Sequence, residues 1–179
     1  MVGLNVLFWI FILLFAVIGL MRGWAKELLV LSSAILGLFV IQMLETFVPF
    51  VKNNLAVSPG PGLFWLRLVI FVILAFFGYQ SPNIPKLAST GRFVRERLQD
   101  ALLGFFLGAV NGYFLFGSIW HFLQDAGYPY PGVVSDPSGT QFAEAAETLV
   151  KLLPPAWLGE PTIYFAVAVI FVFILVVFL

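Results

Sequence analysis

Long apolar runs separated by short polar breaks set the pattern of this chain. Residues 2–21, 28–48, 63–80, 101–123 and 162–179 are almost continuously apolar. None alternates with the period of two that a membrane-barrel strand requires. A helix crossing the roughly 30 Å hydrocarbon layer needs about 20 apolar residues at about 1.5 Å each. Backbone amides find no water there, so each run must satisfy its own hydrogen bonds as a helix. The pattern predicts an all-α integral membrane protein, a bundle of about five transmembrane helices.

The breaks differ in kind. Residues 22–27, Arg-Gly-Trp-Ala-Lys-Glu, admit two readings: a tight hairpin turn using the freedom of Gly23, or a helix bent along the membrane surface with Trp24 at headgroup level. "SPGPG" at 58–62 predicts a turn. The segment 81–100 predicts a helix start near Ser89 or Thr90, with Arg92 and Glu96 paired at i,i+4.

Residues 124–161 are the sizeable extramembrane stretch, Pro- and Gly-rich at first. Beyond it, Phe142, Ala145, Ala146, Leu149 and Leu153 form one stripe, with Glu144, Glu147 and Lys151 opposite. This predicts an amphipathic helix on the outer surface, entered near Asp136 and Pro137 and ended by Pro154 and Pro155.

Composition agrees with a membrane solvent. The chain is 61% hydrophobic and 10% charged, against about half and a quarter in soluble domains. It has no cysteine, so no disulfide or thiolate chemistry arises. No basic residue precedes the first run, which is expected to be a retained helix and not a cleaved signal peptide.

The zero net charge conceals an asymmetry. Loops 22–27 and 81–100 carry a net +3, through Arg22, Lys26, Lys86, Arg92, Arg95 and Arg97 against Glu27, Glu96 and Asp100. Loops 45–62 and 124–161 carry a net −4. Basic loops face the cytoplasm, so the expected topology has the N-terminus outside and the C-terminus cytoplasmic. The basic side is also placed to meet anionic lipid headgroups.

Polar residues within the spans are few. Arg67 lies five residues into its span and is expected to snorkel to the interface; a buried pathway charge is the alternative. Asn111 and His121 lie in the fourth span, where Gly104, Gly108 and Gly112 recur every four residues. Small residues at that spacing let another backbone approach closely, within one chain or across a homo-oligomer seam; the former is preferred.

Ser118, His121 and Asp125 follow one another along one helix face, which does not converge them into a catalytic triad. A single histidine excludes a multi-histidine metal site in one chain. No Walker A, G-x-S-x-G, H-E-x-x-H or G-x-G-x-x-G pattern is present. No catalytic, cofactor-binding or metal residue is therefore expected, nor nucleic-acid binding, because the few basic residues adjoin the membrane.

Two blocks resemble the colicin V production protein (CvpA) family. One is a glycine followed by Arg-Gly-aromatic and a basic-Glu pair, here Gly19, Arg22, Gly23, Trp24, Lys26 and Glu27. The other is an aspartate followed by leucine-glycine repeats, here Asp100, Gly104, Gly108 and Gly112. Two positions depart from the family pattern: Phe8 lies where an acidic residue is often found, and Asn111 stands where arginine is frequent.

The resemblance divides the chain into a four-helix membrane core at 1–123, an extracytoplasmic loop with the amphipathic helix at 124–161, and an additional C-terminal transmembrane helix at 162–179. It implies an accessory protein of the bacterial inner membrane, implicated in colicin V or other toxin production or export and in envelope maintenance.

That role would act through membrane interactions and not catalysis. Two other classes stay open. One is a small oligomeric channel or transporter with Arg67, Asn111 or His121 facing a pore assembled between subunits. The other is a scaffold recruiting an extracytoplasmic protein partner. The topology adds one local expectation: Arg22 or Lys26 pairs with Asp100 or Glu27, and the glycine stripe seats the fourth helix against the first hairpin.

Overall fold

The computed structural model describes residues 3–80, 94–130, 134 and 143–178. Its helices are α1 (Leu4–Arg22), α2 (Trp24–Phe47), α3 (Pro61–Tyr79), α4 (Val94–Asp125), α5 (Ala143–Lys151), α6 (Pro154–Trp157) and α7 (Thr162–Phe178), with a π-helical turn at Val51–Leu55. Helices α1 to α4 are long and apolar enough to cross a membrane, and the chain is a multi-pass membrane protein. Helix α7 is apolar throughout but has 17 residues, about 25 Å at about 1.5 Å each. Four of the five expected spans thus reach the length of a full crossing.

Large apolar side chains on the outside of these helices, among them Trp9, Leu13, Val69, Phe76, Phe165 and Val169, are exposed. In a lipid solvent such exposure costs nothing, and close packing and internal polar contacts hold the helices together instead. Helix α4 lies antiparallel to α1, and the positions of α1 that meet Gly112, Gly108 and Gly104 run from Ile12 through Phe15 to Gly19. Helix α3 lies antiparallel to α2, with Gly37 beside Phe71 and Val30 beside Gly78. Gly23 is the single residue between α1 and α2, and both helices pack against α4 while touching each other little.

The "SPGPG" turn is shorter than expected, because Pro61 already occupies the first turn of α3 with Gly60 as its cap. Proline suits that position, where its missing N–H has no helical partner to lose.

The amphipathic helix is present as α5 but seats on the bundle. Its Ala146 is buried with Leu153 against Leu4, Phe8 and Trp120, and Leu149 packs beside them. Ala145, expected on the same stripe, is exposed. The buried face is set by the ends of α1 and α4, which rotates it away from the widest apolar stripe. Helix α5 ends at Lys151, and Pro154 opens α6 in place of closing α5. Tyr113 fastens this cap: its hydroxyl donates to the Leu152 carbonyl and accepts from Trp157 Nε1 at 2.8 Å.

The expected helix starts near Ser89 or Thr90 and at Asp136–Pro137 lie outside the described residues, as do Lys86, Arg92 with its pairing to Glu96, and Phe142.

Candidate functional site

The glycine stripe brings α1 and α4 into backbone contact. A Cβ placed on Gly108 would stand 2.9 Å from the Gly19 Cα, and one on Gly112 would stand 2.9 Å from the Ile12 Cα. Gly104 packs on the Gly19 carbonyl. The stripe is therefore filled by the first helix of the same chain, as preferred from its spacing.

That contact places the start of α4 against the turn between α1 and α2. Gly23 has φ +84°, a conformation open to glycine and strained for other residues. The reversal takes one residue, so Trp24, Ala25, Lys26 and Glu27 form the first turn of α2. The tight hairpin turn using Gly23 is the reading that holds, narrowed to that one residue, and the chain does not bend along the membrane surface here. No side chain of the turn itself caps α2; Asp100 does so from α4, its Oδ1 accepting the Trp24 N–H at 3.1 Å. A carboxylate there satisfies a free backbone donor and faces the positive end of the helix dipole.

The one-residue reversal turns Glu27 inward. Its side chain is fully buried, although it belongs to a segment with the composition of a polar loop. Arg22 Nη1 lies 3.1 Å from Glu27 Oε1. Asn111 Nδ2 donates to Glu27 Oε2 at 2.7 Å and to the Glu27 carbonyl at 2.9 Å. The Arg22 guanidinium sits 4.3 Å above the Tyr79 ring and donates to the Tyr79 carbonyl at 3.4 Å. Carboxylate, guanidinium, amide and aromatic face thus join all four long helices at one end of the bundle.

The expected pairing is realised in one of its forms. Arg22 pairs with Glu27, whereas Asp100 serves as a helix cap and Lys26 makes no ion pair among the described residues. An uncompensated carboxylate at this depth would be costly, and Arg22 supplies the counter-charge from across the Gly23 reversal.

A second cluster occupies the opposite end. Arg67 Nε and Nη2 donate to the two Glu45 oxygens at 2.6 and 3.0 Å, and Nη1 donates to Asp125 Oδ2 at 2.8 Å. Arg67 does not snorkel outward: its side chain is 12% exposed and clamps α3 to α2 and α4. Two carboxylates on neighbouring helices compete successfully with the interface, since a planar guanidinium can bridge both. His121 Nε2 lies 3.9 Å from Asp125 Oδ1.

Replacing Arg67 by Met should leave both carboxylates without their donor and lower stability by about 2 kcal/mol, below the usual cost of breaking a buried pair because Asp125 is partly solvated. Thermal unfolding in mild detergent measures this. A double-mutant cycle with Glu45→Gln should show coupling, and strict additivity of the two losses would contradict the clamp.

In a comparison with protein-family models, that of the colicin V production protein matches residues 4–136. The chain belongs to the colicin V production protein family. Comparison with curated proteins finds no match, and comparison with solved structures finds none.

In this colicin V production family protein the matched region takes in both charge clusters and the whole glycine seam, and extends past the fourth span into the following loop. Asn111, a departure from the family pattern, is built into the first cluster as a neutral donor to Glu27. Phe8, the other departure, is buried among Tyr113, Phe116 and Trp120.

Glu45, Tyr79 and Gly117 were not evident from the sequence as parts of these sites. Glu45 and Arg67 had a usable signal, since they are opposite charges on the two sides of the Pro-Gly turn that folds α3 onto α2. Tyr79 had none, because its role depends on where α1 ends in space. Gly117 lies outside the four-residue spacing and leaves room for Pro154, whose Cδ would stand 2.9 Å from a Cβ there.

Proposed function

We propose that this protein is an accessory component of the bacterial inner membrane, implicated in colicin V or other toxin production or export and in envelope maintenance. It acts through contacts within and along the membrane and not by catalysis. The family match over residues 4–136 carries the reading. The internal use of the spans' polar groups supports it: Glu27, Asn111 and Arg67 are engaged by neighbouring helices of the same chain, leaving the outer faces apolar for lipid or for other membrane helices.

The proposed orientation puts the Gly23 turn in the cytoplasm and the Arg67 cluster and α5 outside, following the net +3 and −4 of the two loop sets. Basic residues at the cytoplasmic end, Lys26 and Arg97 among them, would meet anionic headgroups. Because α1 fills the glycine stripe, a homo-oligomer would use another surface.

Deleting the gene in a colicin V-producing host and measuring secreted toxin by growth inhibition of a sensitive strain tests this. Secretion should fall and be restored by the intact chain. Undiminished secretion and an envelope as resistant to detergent as the parent's would overturn the reading.

A further inference from the structure

Among the described residues, Asn111 Oδ1, Ser118 Oγ and His121 Nδ1 are buried with no hydrogen-bond partner, whereas Arg22 Nη1 and Glu27 Oε1 meet each other as an ion pair at 3.1 Å. Buried polar atoms in proteins are nearly always partnered, and each exception calls for an explanation. In a bilayer the cost is higher, because no bulk water is at hand.

These three atoms follow one another along α4, from the Arg22–Glu27 pair towards Asp125. Arg22, Glu27, Tyr79 and Asn111 form the cluster at the Gly23 turn. Asn111, Ser118 and Asp125 then follow one another every seven residues along α4, about 20° short of two full turns, and so share one face. His121 lies one turn beyond Ser118 on that side and approaches Asp125 at 3.9 Å. Asp125 belongs to the Arg67 clamp at the far end. Ionisable groups thus stand at both ends, with a fully buried hydroxyl between them.

We propose that the chain conducts protons across the membrane along this face of α4, between the His121–Asp125 pair and the Glu27–Arg22 pair. The species is a proton and not a metal cation. A guanidinium already stands beside the carboxylates at each end, and no group of three His, Cys, Asp or Glu able to hold a metal occurs among the described residues.

The spacing sets what the path requires. Ser118 and His121 differ by about 4.5 Å in rise, and Asn111 and Ser118 by about 10 Å. Two or three water molecules in a hydrogen-bonded file span about 10 Å, and polar atoms without protein partners are the sites that hold such waters.

In the inward direction, a proton entering on the imidazole of His121 passes to water. The Ser118 oxygen accepts it while releasing its own hydroxyl proton to the next water, since a hydroxyl both donates and accepts. The proton then reaches Glu27 Oε1, neutralising the carboxylate and freeing Arg22 from its partner. Release to the cytoplasm restores the Arg22–Glu27 pair. One proton moves, the water and hydroxyl are regenerated, and nothing is oxidised or reduced. Asn111 accommodates both states of Glu27: its Nδ2 donates to the ionised carboxylate at 2.7 Å, and its Oδ1 is the acceptor for the neutral acid once the amide turns over.

The full chain, reconstituted into phosphatidylethanolamine–phosphatidylglycerol vesicles with an entrapped pH dye and a valinomycin-clamped potassium gradient, gives the test. The wild-type rate of internal pH change should exceed that of protein-free vesicles by about tenfold, as for a selective pathway over bilayer leak. Ser118→Ala and Glu27→Gln, each checked for folding by circular dichroism and gel filtration, should return the rate towards the leak. Lys52→Gln, exposed in the Val51–Leu55 turn and away from this face, should not. A wild-type rate equal to that of protein-free vesicles overturns the proposal. So does wild-type conduction by both folded variants.

Discussion

Gly108→Val is expected to be among the most damaging single substitutions in this protein, removing about 3 kcal/mol or more and preventing recovery of folded chain. The first atom added at Gly108 would stand 2.9 Å from the Gly19 Cα and close upon the Phe15 carbonyl. Both obstacles are backbone, which cannot swing aside as a side chain can. Valine adds two methyl groups beyond that clash, so α1 would have to move away from α4 along its length. This would uncover the Gly19 and Gly104 contacts and tilt the Gly23 turn away from Asp100. The measurement is the folded fraction in mild detergent, by gel filtration and thermal unfolding. Gly159→Ala is the matched control, because a Cβ there meets nothing within 4 Å. Equal stability of the two variants would show that the seam is not the close contact described.

Asn111→Leu ranks second, at about 3 kcal/mol. The side chains have similar volumes, so packing alone predicts little change. Two hydrogen bonds disappear, however, one to the buried Glu27 carboxylate and one to its carbonyl. The carboxylate then keeps only Arg22, at 3.1 Å. Burying a charge with an incomplete set of donors is the costly step. Combining Asn111→Leu with Glu27→Gln should recover part of the loss, because the remaining amide carries no charge. Unfolding midpoints of the two singles and the double provide the check. A double variant no more stable than Asn111→Leu alone would remove the charge argument.

Much of the candidate site could be named from the chain without its connections. Arg22, Gly23, Glu27 and Asp100 stand out as charges and a glycine beside long apolar runs, and Gly104, Gly108 and Gly112 stand out by spacing. Their roles were less legible. Asp100 reads as a partner for a cation, yet it caps α2, because a one-residue reversal at Gly23 brings the free N–H of Trp24 within its reach. Arg67 reads as a snorkelling side chain, yet Glu45 and Asp125 hold it inside. Ser118 reads as one residue of a failed triad, and its burial without a partner emerges only once α4 has neighbours.

The division has a physical cause. Apolar runs of about 20 residues must be helices in a bilayer, whatever packs against them, because the backbone can satisfy its hydrogen bonds only within each run. That requirement is local, and so the class of protein and the four long helices follow from residue order alone. Which faces meet is different. In lipid the apolar surfaces are nearly equivalent, so the choice rests on a few close backbone approaches and polar contacts between residues far apart in the chain. The seating of α1 on the glycine stripe of α4, the burial of Glu27 beneath Asn111, and the bridging of Glu45 and Asp125 by Arg67 are all decided there.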